Sequence, residues 1–167
     1  MSFFTRLKGF FSEDLYVQVW ESRIKVTASR DVIAYDQEPL IAVETKKDGT
    51  KVVAEVGNAC RLLDANRYEI INPFKHPRVL LGDFMAAEKL VQYAFQQVHK
   101  GKFFAPAPRV IFQPMEKTEG GLSPVEVKAF EELCLGAGAR DVAIYVGHEL
   151  VMQDLNFDSI KKSRQKH

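Results

Sequence analysis

Cysteine is scarce in this chain of 167 residues: only Cys60 and Cys134, neither near a second cysteine or a histidine in ligand spacing. That excludes a disulfide framework and a zinc finger, and it fits a reducing compartment. No apolar run reaches the length of a membrane span. The first residues are not a secretion signal either, because Arg6 and Lys8 sit inside the apolar stretch and no small-residue cleavage site follows. Net charge is almost absent, at +1, so there is no global attraction to nucleic acid. Phosphate-binding glycine motifs are missing, and Gly120-Gly121 reads as a plain loop pair. His76, His99, His148 and His167 are scattered without metal-ligand spacing and read as surface or loop residues. There is no internal repeat and no low-complexity tract.

What remains is an ordinary soluble composition, 46% hydrophobic and 27% charged. The length suits one domain, or one domain with a small insert. The basic charge is concentrated at the end. Residues 161–167 hold Lys161, Lys162, Arg164 and Lys166 and no acid, although the whole chain has 22 Asp and Glu against 23 Lys and Arg.

Residues 1–11, MSFFTRLKGFF, stand apart. On a helical wheel Phe3, Phe4, Leu7, Phe10 and Phe11 fall within an arc of roughly 120°. Arg6 and Lys8 flank that arc, and Ser2, Thr5 and Gly9 lie opposite. Aromatics with basic residues at the rim suit a short helix lying in a membrane interface. Packing of the same helix on its own domain is the alternative.

Residues 15–28 alternate and read as two strands around a tight turn at Glu21-Ser22. Further strands are expected over 32–35 and 39–45, and Asp48-Gly49 marks a hairpin into KVVAEV. Gly57 to Leu63 reads as one or two helical turns, and 64–82 as loop. Residues 83–100 form the best helix, capped by Asp83 and stopped by Gly101. Arg109–Phe112 is a short buried strand. Ser123-Pro124-Val125-Glu126 is a capping box opening a helix to Leu135, ended by Gly136. A strand over 141–146 and a weaker helix over about 148–162 complete the chain.

Three antiparallel strands followed by βα units predict an α/β fold. It is a ribonuclease-H-like or actin-like half, with a mixed sheet, helices on both faces and a small β-rich insert. The expected organisation is an amphipathic segment over 1–11, one domain over 12–160 with the insert at about 40–82, and a basic tail over 161–167. A nuclease of this fold needs clustered carboxylates at strand ends to hold two metals. The first strand carries Gln18 at that place, which argues against one.

Several stretches together resemble the MreB family of bacterial actin-like rod-shape-determining proteins. They are FFSEDL at 10–15, Glu38-Pro39, Val56-Gly57, Pro73-Phe74-Lys75, Gly82-Asp83-Phe84 and Gln97-Val98-His99, followed by Pro108-Arg109-Val110, Val125-Glu126 and Gly136-Ala137-Gly138-Ala139-Arg140. The full family protein has two halves with nucleotide bound between them, and the resemblance covers the equivalent of the first half.

The resemblance implies an ATP site, and this sequence departs from it. The family's first phosphate loop is an Asp-Leu-Gly-Thr-type turn. Here the matching stretch is Gln18-Val19-Trp20-Glu21-Ser22. The Asp is a neutral Gln18, the Gly is the bulky Trp20, and Glu21 would repel a triphosphate. Glu126 matches the family's water-orienting Glu, but it is equally the closing residue of the capping box. Trp20 is either an ordinary core tryptophan or the filler of a vacated cleft.

These expectations add up to a pseudo-ATPase without cofactor or metal, in which Gln18, Trp20, Glu21 and Glu126 are vestigial positions. The implied role is a membrane-associated cytoskeletal or cell-shape scaffold in the bacterial cytoplasm, peripheral on the inner membrane. Its expected partners are itself, full-length actin-like proteins and the inner-membrane surface, not nucleic acid. The alternative is a nucleotide enzyme whose site a second chain completes.

Overall fold

In the computed structural model, residues 14–28, 31–101, 103, 106–151 and 155–164 are described. The amphipathic stretch 1–11 and the end of the basic tail lie outside the described residues. Strands β1 (Asp14–Val19), β2 (Ile24–Ala28) and β3 (Val32–Gln37) form an antiparallel meander. Strands β7 (Arg109–Pro114) and β8 (Asp141–Ile144) then join β1 in parallel. The five-stranded order is β3-β2-β1-β7-β8.

The period-two alternation of β1 decides what each face carries. Leu15, Val17 and Val19 point into the main core, with helix α1 (Phe84–His99) and helix α2 (Pro124–Gly136) over them. Tyr16 points the other way, into a smaller cluster with Ile111, Ala143 and Phe157, the first residue of helix α3 (Phe157–Arg164). The mixed sheet with helices on both faces is therefore as expected.

Both main helices start as their sequences dictate. The Asp83 carboxylate accepts from the Ala86 N–H at 3.0 Å. Ser123 and Glu126 close the capping box in both directions. The end of α2 differs from expectation. The helix includes Gly136, and Gly138, at φ 111°, makes the left-handed stop. Gly136 has a packing role instead, because a Cβ there would lie 2.4 Å from Glu88 Oε2 on α1.

Two other segments differ. Residues 64–82 are not all loop: β6 (Tyr68–Ile71) pairs with β4 (Ile41–Thr45), which also pairs with β5 (Lys51–Val56). Four residues between Asn66-Arg67 and Asn72-Pro73 are too few to show a strand pattern, and a distant partner makes the strand. A short 3₁₀ helix over Asn58–Leu62 lies against this sheet, where Cys60 joins Leu40 and Ala42 in a cluster of their own. The weaker helix begins only at Phe157, because the Asn156 side chain caps it by accepting from the Ser159 N–H at 2.9 Å. The chain before it, from Gly147 to Leu150, is bonded to β1 and β7 side chains instead.

Tyr35 is 4% exposed, and its hydroxyl is buried and unsatisfied among the described residues. Its ring packs edge-on against Tyr93 at 6.0 Å, so the ring has a role and the oxygen has none. Burial raises the phenol well above its ordinary pKa. Tyr35→Phe is expected to leave stability unchanged or raise it by up to about 1 kcal/mol. A thermal melt showing a clear loss would mean that the hydroxyl is bonded after all.

Candidate functional site

In open α/β sheets, ligands sit beyond the carboxyl ends of the parallel strands. Here those ends belong to β1, β7 and β8, and the β1–β2 turn, Trp20 to Arg23, lies beyond the first of them. The turn closes through the Trp20 N–H to the Arg23 carbonyl at 2.8 Å. Other loops hold it from outside. The Glu21 N–H donates to Glu116 Oε2 at 2.6 Å. The Asn72 side-chain amide donates to the Glu21 carbonyl at 2.7 Å. The Lys117 ammonium donates to the Glu21 carboxylate and to the His76 carbonyl, closing three loops on one another. Lys117 reaches this position with φ 58°, a left-handed conformation that costs a residue with a side chain about 1 kcal/mol or more.

Trp20 is half-buried, not a core residue. Its ring lies beneath the Arg23 guanidinium, 5.4 Å from the ring centroid. Arg23 also makes a two-pronged bond to Asp36, at 2.7 and 2.6 Å, and so lowers the pKa of that carboxyl.

Behind the turn is a layer of buried amides. Gln18 and Gln113 are paired across β1 and β7, at 1% and 0% exposure. Gln18 Nε2 donates to Glu149 Oε1 at 2.8 Å. Gln113 Oε1 accepts from the Tyr16 hydroxyl, while its Nε2 donates to the Gly147 and His148 carbonyls at 2.8 and 3.2 Å. The Leu150 N–H in turn donates to the Tyr16 oxygen at 3.2 Å. Burial is the main reason the Tyr16 phenol is pushed up to about 12. This network ties the chain after β8 to the middle of the sheet.

Gln18, Trp20 and Glu21 thus come together at the end of β1. Glu126 is apart from them in its bonding: its carboxylate accepts from the Ser123 N–H at 2.8 Å and from the Ser123 hydroxyl at 2.7 Å. Sequence reasoning missed Gln113, Glu116, Lys117 and Glu149. Gln113 had a signal, a polar residue following the apolar run Val110-Ile111-Phe112 in the strand RVIFQP. The others meet the turn only through the tertiary fold.

The residues fit a magnesium nucleotide poorly. A phosphate approaching the Glu21 N–H would have to displace the Glu116 carboxylate and would face the Glu21 carboxylate beside it. Gln18 presents a neutral amide where a cation would need a negative oxygen. Among the described residues no group of three or more His, Cys, Asp or Glu is placed to hold a metal ion. A hollow of about 490 Å³ does open over β1 and β2, between Lys25 and Thr27 on the sheet and Glu149 to Val151 beyond β8.

Comparison with known proteins agrees with the fold. A family model described as MreB/Mbl protein matches residues 13–152. The cell shape-determining protein MreB of Haemophilus influenzae is 32% identical over 143 residues, covering 83% of this chain and 39% of that protein. MreB5 of Spiroplasma citri, solved bound to ADP, superposes with a TM-score of 0.62 at 17% identity, over 81% of this chain and 38% of that one. MamK, solved as a double helical filament, superposes with a TM-score of 0.53 at 12% identity, over 81% and 41%. The chain spans about two-fifths of the length of the curated relatives it matches.

Proposed function

The chain belongs to the MreB/Mbl family of actin-like cell-shape proteins, and from that footing we propose that it is a non-catalytic half-actin module working through protein contacts. One observation supports this above the others. The backbone N–H of Glu21 is bonded to Glu116, so a carboxylate of the chain itself sits where an incoming phosphate would be bound. Of the cations at the turn, Lys117 is already spent on Glu21 and Arg23 on Asp36. The ADP seen in Spiroplasma MreB5 is therefore not carried over to this chain.

The contacts proposed are with a second copy and with full-length actin-like proteins, as the filament formed by MamK suggests. The place proposed is the cytoplasmic face of the inner membrane. Phe3, Phe4, Leu7, Phe10 and Phe11 would enter the interface, with Arg6 and Lys8 at its rim. Lys162, Arg164 and Lys166 of the basic tail add a second, electrostatic attraction to anionic lipid, while its first residue, Lys161, is paired with Asp141.

Titration with ATP and Mg²⁺ tests the central claim, followed by Trp20 fluorescence and by calorimetry. Trp20 lies on the turn itself and is the sole tryptophan, so the probe is already in place. No saturable signal is expected up to millimolar nucleotide. Micromolar binding would overturn the proposal and favour an active site completed by a second chain.

A further inference from the structure

The two edges of the main sheet are unequal. At one edge, β8 is four residues long, and Val142, Ala143 and Ile144 are buried. Its first residue, Asp141, is held by Lys161 of α3. At the other edge, β3 is six residues long and leaves Val32 57% and Ile33 53% exposed. Every second residue of an edge strand turns an N–H and a C=O outward, where only water or another strand can satisfy them. A hollow of about 320 Å³ runs along this edge. Five consecutive strand residues, Ile33 to Gln37, line it, and Tyr93 and Gln97 of α1 wall it on one side. A cavity bordered by consecutive residues flanks the strand backbone, which is where an added strand would lie.

We propose that β3 is a self-pairing edge, joining the sheets of two copies of this chain through an antiparallel β3–β3 contact. The proposal deepens the self-association reading above and rests on it.

The register argues for a second copy as occupant. Val32 and Gln37 pair with Ala28 and Ile24 of β2, both main-core residues, so they share the α1 face. Ile33 and Asp36 pair with Thr27 and Lys25, which line the hollow on the opposite face, so they share that face. The irregularity between Val26 and Thr27 leaves Ala34 unpaired with β2, and this keeps the two ends in phase despite their odd spacing. Now place a two-fold axis perpendicular to the sheet between Ala34 and Tyr35. Val32 then meets Gln37, Ile33 meets Asp36, and Ala34 meets Tyr35, each pair on a common face as an antiparallel ladder requires. No like charges oppose one another, and the Asp36 carboxylate is already balanced by Arg23. The contact is isologous and closes at two copies. It would give Val32 and Ile33 a partner, and it would bring the two α1 helices alongside on one face.

The test uses the full chain with Ile33→Cys and Asp36→Cys together. Opposed side chains in this register lie within reach of a disulfide. The native Cys60 and Cys134 are fully buried and do not compete. Mild oxidation is expected to convert the double variant to a covalent dimer and to leave either single variant uncoupled. Ile33→Glu, at an exposed position facing Asp36 of the other copy, is expected to shift the sedimenting species from two chains to one. Circular dichroism confirms that each variant is folded. A wild-type chain that sediments as a monomer overturns the proposal. So does a dimer that neither cross-links in the double variant nor responds to Ile33→Glu, which would place the contact elsewhere while leaving self-association intact. Nucleotide binding with the cross-link preserved would instead overturn the non-catalytic reading and leave this contact standing.

Discussion

Gln113→Glu is expected to cost the fold about 3–5 kcal/mol at neutral pH, a large share of a typical domain's stability. Gln113 is fully buried, and its amide donates to the Gly147 and His148 carbonyls while its oxygen accepts from Tyr16. A carboxylate keeps the bond from Tyr16 but sets negative oxygen against two carbonyl oxygens without solvent. Burial would raise that carboxyl above its unfolded pKa of about 4.3. The sign follows from linkage: below the unfolded pKa both states are protonated, and the charge penalty vanishes. It grows as pH rises from about 4 toward the folded pKa. Urea denaturation across that range should show the variant losing stability with increasing pH relative to wild type. Gln113→Leu removes the same bonds without adding charge, and its deficit should not change with pH. A Gln113→Glu protein as stable as wild type at neutral pH would mean that the site tolerates an anion. Neutrality of the buried amides at Gln18 and Gln113 would then not be required by the fold.

How much of this was legible beforehand depends on how local the cause is. Asp83 and the Ser123–Glu126 box determine helix starts within four residues, so both were visible in sequence. The alternation of β1 declared the two faces of the sheet. β6 was invisible because its four residues become a strand only against β4. Gly136 looked like a helix stop, yet its missing side chain makes room for Glu88, a contact across two helices. Trp20 reads from the sequence either as a core tryptophan or as the filler of a vacated cleft, and the tight turn leaves it half-exposed under Arg23.

The candidate site divides in the same way. Gln18, Trp20 and Glu21 could be named from resemblance to the family, because all three lie in one short stretch. Glu116 and Lys117 could not: they reach the turn from 95 and 96 residues further along the chain. These two residues change the meaning of the site. On the proposed reading, Gln18 removes a carboxylate, while Trp20 and Glu21 bring bulk and negative charge to the turn. The bond from the Glu21 N–H to Glu116 adds an occupant, and the Lys117 contacts hold the three loops around it. On the proposed reading, the turn holds its own anion and cation, positioned by a left-handed lysine, in place of a ligand.

Removal of residues 1–11 is expected to lower vesicle binding by about a hundredfold, the equivalent of roughly 3 kcal/mol. The segment carries Phe3, Phe4, Leu7, Phe10 and Phe11. Full burial of such a side chain is worth about 1.5–3 kcal/mol, and interfacial insertion realises only part of that for each. The described fold begins with β1 at Asp14, so the truncation spares every described strand and helix. Arg6→Ser and Lys8→Ser should act differently. Each removes about 1 kcal/mol of attraction to an anionic surface and almost nothing on neutral lipid. Co-sedimentation with neutral and anionic vesicles therefore separates the two contributions, because truncation weakens binding to both while charge removal weakens only the second. Added salt should weaken the anionic case alone. If the truncated chain still sediments fully with neutral vesicles, the aromatic face is not the anchor. If binding survives only on anionic vesicles and disappears with salt, the basic tail at Lys161 to Lys166 is holding the chain, and the N-terminal segment would then be free to pack on protein.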